Sequence, residues 1–113
     1  MAPGEIHLGY FPFGGRVGRK LRPVLALSGL VGPVPEVLVA YMTSVIPGGL
    51  LATDLLLDPS LPLFAGTNLR AVTLLRLHKL ATIHERDLVR LVGRMTGAAM
   101  AEVETRLRSF LNL

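Results

Sequence analysis

The stretch GGRVGRKLRPVLALSG, Gly14 to Gly29, couples a glycine-rich cationic loop directly to an apolar run. Arg16, Arg19, Lys20 and Arg22 fall within seven positions with no acid among them, and Pro23 then opens PVLALS. Proline can begin a strand but cannot donate to a ladder within one, so Pro23–Ser28 reads as a strand that starts at the proline. Gly29, Gly32 and Pro33 end it. On the other side of the loop, EIHLGYFPF (Glu5–Phe13) alternates partially, with Ile6, Leu8 and Tyr10 toward a core. Two strands joined by a basic loop are the seed of an antiparallel sheet.

Working outward, Val37–Ser44 (VLVAYMTS) is a third strand, apolar until its polar end, and Pro47-Gly48-Gly49 forms a loop. Asp54–Asp58 is a short fourth strand and Leu69–Leu80 a long fifth, with Val72, Leu74 or Leu75, and Leu77 toward the core. The period then changes. Thr82 and Glu85 have capping-box spacing, which predicts a helix through Leu88, Leu91 and Val92 stopped by Gly93. Thr96 predicts the cap of a last helix carrying Met100, Val103, Leu107 and Phe110 or Leu111 on one face, with Arg106 and Arg108 near the negative end of its dipole. Five strands followed by two helices is an α+β pattern, a curled sheet or partial barrel.

The totals agree with one domain, residues 1–113. Half the residues are hydrophobic and 18% are charged, an apolar composition that predicts a homo-oligomer. There is no cysteine, so disulfides and thiolate metal sites are excluded. Met1–His7 lacks the pattern of a secretory signal, and the longest uncharged run, Val37–Thr53, is broken by Pro47, Gly48 and Gly49. A cytoplasmic protein without a membrane span is the expectation. Net charge is +4, ten of the twelve cations are Arg, and the segments 6–35 and 59–84 hold no acid at all. That distribution suits either a polyanion surface or ordinary solvation.

Common hydrolase and nucleotide signatures are missing. Gly14-Gly15-x-x-Gly18 lacks the Lys-Ser/Thr end of a phosphate-binding loop, His7, His78 and His84 form no H-E-x-x-H, and no serine sits in G-x-S-x-G. No metal and no cofactor are expected. What remains is polar residues at strand ends and inside the fifth strand: Arg22, Thr43-Ser44, Arg76 and His78. Arg76 and His78 are two apart and share a face of a regular strand. A fixed cation, hydroxyls and a group titrating near neutrality suffice for attack of an RNA 2′-hydroxyl on its adjacent phosphate. Each also has a plainer reading: Arg22 as a surface ion-pair partner, Thr43-Ser44 as turn formers, His78 as a structural histidine.

The order of segments adds to this. Gly4-Glu5-Ile6, a glycine-bearing loop, Arg22-Pro23-Val24-Leu25, the strand end Tyr41-Met42-Thr43-Ser44, and Leu80-Ala81-Thr82-Ile83-His84 before a C-terminal helix resemble the MazF/PemK toxin ribonucleases across essentially the whole chain. The resemblance implies an SH3-like barrel with helices, a homodimer, and a type II toxin–antitoxin system. It further implies metal-independent cleavage of single-stranded RNA at short sequences, leaving a cyclic phosphate and inhibiting translation and growth, and a cognate antitoxin, expected to be small and acidic, as silencing partner. On the matching positions Arg22 would hold the scissile phosphate, Thr43 would donate to it with Ser44 alongside, and Arg76-Leu77-His78 would replace an Arg-x-Asp that supplies acid and base. Arg16, Arg19 and Lys20 would add sequence-blind affinity for RNA, and Phe11, Phe13 and Tyr41 would stack bases.

Three departures stand out. The first loop carries Arg16-Val17-Gly18 where many relatives have Glu-Gln, His78 stands for Asp, and Ala81 replaces an Arg. They leave two alternatives: a CcdB-like gyrase-binding toxin acting through its last helix, or a catalytically weakened RNA-binding module. The apolar segments Leu50-Leu51 and Leu61–Phe64 suit a dimer or antitoxin surface, or burial in one chain.

Overall fold

A computed structural model describes residues 1–12 and 20–113. Six antiparallel strands form one open sheet: β1 (Glu5–Tyr10), β2 (Leu21–Ala26), β3 (Glu36–Thr43), β4 (Asp54–Leu57), β5 (Thr73–His84) and β6 (Leu88–Arg94), in the order β4-β5-β3-β2-β1-β6. One helix follows, α1 (Gly97–Leu111). The architecture is the expected α+β curled sheet with a C-terminal helix. It has six strands, not five, and it stays open between β4 and β6.

The sheet buries both faces. On the helix side Ile6, Leu25, Met42, Leu75 and Leu77 pack with Ala99 and Val103 of α1. On the other side Val24, Val37, Val39, Tyr41 and Ile83 form a second cluster with Phe11. Paired residues of neighbouring strands share a face, and successive residues alternate. Ile6, Leu25 and Ala40 thus line up on one side, and His7, Val24 and Tyr41 on the other.

The helix expected over Thr82–Val92 is strand instead. Thr82 stands opposite Leu38, while Ala81 and Ile83 pair with Val39 and Val37 and pack on their cluster. The capping logic appears two residues later, where His84 Nδ1 accepts from Arg86 N at 3.0 Å, but it starts only the single 3₁₀ turn Glu85–Asp87. β6 then pairs with β1 through two register shifts, each of which leaves one extra β6 residue, Val89 and Val92, unmatched. Such bulges convert a spacing of two into a spacing of three. Leu88 and Leu91 therefore share a face for a reason unrelated to a helix. Gly93 is no helix stop either: a Cβ there would overlap the carbonyl oxygens of Gly66 and Thr67, whose loop presses on β6.

The final helix starts as expected, at Thr96. Thr96 Oγ1 accepts from Ala99 N at 3.1 Å, and Asn112 closes the helix in the left-handed region at φ 58°. Arg106 does more than face the dipole: its Nη1 donates to the carbonyls of Ala52 (3.1 Å) and Asp54 (2.9 Å), which ties α1 to the head of β4. Phe110 and Leu111 are exposed and lie outside the packed face. Leu50, Leu51, Leu61 and Leu63 are exposed as well, and Phe64 is buried. No helix among the described residues is long and apolar enough to cross a membrane.

Candidate active site

Two rows of side chains cross the face of the sheet opposite α1. The first runs Asp54 (β4), Arg76 (β5), Tyr41 (β3), Val24 (β2), His7 (β1). The second runs Leu56, Leu74, Thr43 and, on the β1 side, Arg22 opposite Gly9. The β2–β3 pairing is regular through Val24 opposite Tyr41. The ladder ends there, and Arg22 on β2 and Thr43 on β3 each lie two residues beyond its last pair.

Arg22 is half-buried, and its Nε is fully enclosed without a hydrogen-bond partner among the described residues. An enclosed N–H left unmatched costs about 1–3 kcal/mol, so such a group in a folded protein calls for a reason. Thr43 is only 6% exposed. Its Oγ1 accepts from Val45 N at 3.1 Å, which leaves its own proton without an acceptor among the described residues. A guanidinium N–H and a hydroxyl proton, neither used among the described residues, are donors suited to an anionic oxygen.

Arg76 is held differently. Its Nε donates to Asp54 Oδ1 at 3.0 Å and its Nη2 to Oδ2 at 3.4 Å. Asp54 also accepts from Leu51 N at 2.8 Å, so its enclosed carboxylate is satisfied from two sides. Asp54 carries no sequence motif; it reads only as the first residue of a strand. Its one signal is a lone acid heading the apolar run DLLL.

His78 lies where β5 departs from regular pairing. Ala40 faces Leu80 and Tyr41 faces Arg76, so Leu77, His78 and Lys79 bulge out between them. The bulge re-aims side chains that a regular strand would alternate. Lys79 Nζ sits 5.2 Å from the centre of the Tyr41 ring, and His78 Nδ1 is 2.7 Å from Thr53 Oγ1. Burial pushes the His78 pKa down, and the Arg76 charge pushes it further, against a smaller opposing pull from Asp54. Both effects disfavour the protonated imidazole.

The remaining expectations divide. Lys20 is exposed just ahead of β2, while Phe13, Arg16 and Arg19 lie outside the described residues. Thr43 and Ser44 are separated by the pleat: Ser44 lines a cavity on the helix-side face with Pro23, Arg70 and Arg90. Phe11 and Tyr41 are not available to stack bases. Each is 8% exposed, and their rings meet edge-on at 5.3 Å because the second core cluster closes over them. His7 bonds Glu5 Oε1 through Nε2 at 2.8 Å, and that bond draws the Glu5 pKa down. Among the described residues no group of three or more His, Cys, Asp or Glu side chains could hold a metal ion.

Solved structures share this fold. The toxin MazF-mt6 of Mycobacterium tuberculosis superposes with a TM-score of 0.73 at 23% identity, over 96% of this chain and 97% of that one. A mycobacterial endoribonuclease in complex with its cognate antitoxin gives 0.67 at 18% identity, over 100% and 96%. The MazE–MazF structure from Deinococcus radiodurans gives 0.66 at 18%, over 99% and 95%. At such identities the likeness is one of fold, that of the MazF toxins. Residues 2–111 match the family of PemK-like, MazF-like toxins of type II toxin–antitoxin systems, and the chain belongs to it. No curated protein matches by sequence.

Proposed function

We propose that this toxin is an endoribonuclease that cuts single-stranded RNA without a metal ion. The observation that carries the reading is Arg22: a cation on β2 whose enclosed Nε meets no acceptor among the described residues, two residues beyond the last β2–β3 pair, as is Thr43 with its unused hydroxyl proton on β3. A phosphodiester oxygen placed between them satisfies both. Family membership and a similar fold described as an endoribonuclease support the same reading.

In the reaction, the 2′-hydroxyl loses its proton, O2′ bonds to phosphorus, and the P–O5′ bond breaks. The products are a 2′,3′-cyclic phosphate and a 5′-hydroxyl whose proton comes from water. Arg22 and Thr43 hold the negative charge that grows on the non-bridging oxygens, the step at which fixed donors are worth most. His78 takes the 2′ proton. In the tautomer that donates Nδ1–H to Thr53, its Nε2 carries the free lone pair, and burial, which lowers its pKa, favours that neutral form. Arg76, paired with Asp54 at 3.0 Å, places a guanidinium on the same face. Arg16, Arg19, Lys20 and Phe13 supply backbone affinity and base contact.

The partners on this reading are a second copy of the chain and an acidic antitoxin, and the site of action is the cytoplasm. Exposed Val45, Leu50, Leu51 and Leu61 offer apolar area for the first, and a net charge of +4 suits the second. The gyrase-directed alternative has no observation in its favour. Purified protein incubated with single-stranded RNA in EDTA tests the reading: fragments ending in cyclic phosphate are expected. RNA left whole by a folded protein at micromolar concentration contradicts it.

A further inference from the structure

We propose that the groove on the helix-side face, between β6 and the loop 68–72, is a second phosphate site that holds the RNA backbone flanking the cut. The proposal rests on the ribonuclease reading and extends it to a face that reading leaves unused. The cavity is about 510 Å³, within the range of small-ligand clefts. Arg70 and Arg90 line it, and no acid does. Neither arginine makes an ion pair or a side-chain hydrogen bond among the described residues. By contrast Arg76, Arg94, Arg106 and Arg108 each lie within 4.0 Å of a carboxylate. Two forked cations left together without counter-ions suit bidentate phosphate contact.

The walls are preformed. Asn68, in the left-handed region at φ 55°, donates Nδ2 to the Val92 carbonyl at 2.9 Å, and Thr73 Oγ1 bonds the Ala71 carbonyl at 2.9 Å. The loop that carries Arg70 is thus pinned at both ends. Among the described residues no aromatic side chain lines the groove, so its described walls give bases no stacking platform and offer backbone contact. Its position supplies the occupant. Pro23 and Ser44, which line it, adjoin Arg22 and Thr43 in sequence and face the opposite way. A strand leaving the Arg22–Thr43 step passes the start of β2 and the end of β3 and enters this groove. That continuity favours RNA over an acidic peptide.

The test measures binding of fluorescein-labelled RNA, 2′-O-methylated throughout so that it stays whole, by anisotropy across a salt series. Oligonucleotides of about four and about twelve nucleotides are compared on the wild type and on Arg70→Ala/Arg90→Ala, with circular dichroism confirming the fold. The double variant is expected to lose about tenfold in affinity for the longer RNA, and its log–log salt slope should fall by about 1.4, or 0.7 per contact. Arg70→Lys/Arg90→Lys should restore most of the slope, and Arg86→Ala, outside the groove, should change nothing. A wild-type slope in the double variant overturns the proposal, as does loss of acidic-peptide binding with RNA binding intact. Unmodified RNA cut in parallel separates the two readings. Cleavage without a slope difference sinks the groove alone, and a slope difference without any cleavage sinks the ribonuclease alone.

Discussion

Asp54 and Arg76 stand opposite each other on β4 and β5, with Arg76 Nε 3.0 Å from an Asp54 carboxylate that has no exposed side-chain surface. The same Asp54 gives its main-chain carbonyl to Arg106 of α1 at 2.9 Å. One residue at the head of a four-residue edge strand therefore links the helix to the cation on the far face. Removing the carboxylate leaves the Arg76 charge, 19% exposed, without compensation.

Asp54→Ala is expected to destabilise the fold by about 3–5 kcal/mol, the usual cost of breaking an enclosed ion pair from one side. Asp54→Asn, which keeps an acceptor, should cost about half as much. Urea unfolding of both measures this. A change below about 0.5 kcal/mol in Asp54→Ala would show that the pair is not what holds β4 to β5.

The lowered pKa of His78 fixes a pH dependence of both stability and rate. Between its folded pKa and the ordinary 6.5, the unfolded chain binds a proton that the folded chain does not. Stability therefore rises with pH through that window and falls as pH drops below 6.5. His78→Gln should flatten this part of the stability profile. In cleavage, the acid limb of kcat/KM should have its midpoint below 6.5 and vanish in His78→Gln along with most of the rate. An acid limb centred above 6.5 speaks against His78 as the base.

Gly93→Ala should cost at least about 3 kcal/mol. The added methyl meets main-chain carbonyls of Gly66 and Thr67, which no rotamer change can relieve. Arg94 N also bonds the Gly66 carbonyl at 2.9 Å, so the loop cannot retreat without losing that contact. A denaturation midpoint equal to the wild type's would show that the loop is not seated on β6.

Much of the fold is legible in the sequence where local chemistry is unopposed. The polar end of VLVAYMTS marks the end of β3, and Thr96 caps α1, whereas β2 starts two residues before the proline, at Leu21, with Pro23 paired to Leu8 inside the ladder. β6 is illegible for a stated reason: bulges at Val89 and Val92 replace the period of two with intervals that mimic a helix turn. Thr82 reads as a cap, yet the cross-strand partner Leu38 claims it for the ladder. The candidate site divides in the same way. Arg22 and Thr43 stand out by their places at strand ends, but nothing local reveals that Asp54 will anchor Arg76, or that the pleat will send Ser44 to the opposite face. Those relations arise from register between segments far apart in the chain.

Arg22→Met tests the central claim most directly. The substitution keeps most of the apolar stem and removes an enclosed N–H that has no partner among the described residues. Stability should hold or rise by about 1 kcal/mol. Cleavage of single-stranded RNA in EDTA should fall by about a thousandfold or more, as for loss of a key donor to transition-state charge. A variant that cuts at the wild-type rate would contradict the account, because the guanidinium at position 22 would then hold no phosphate.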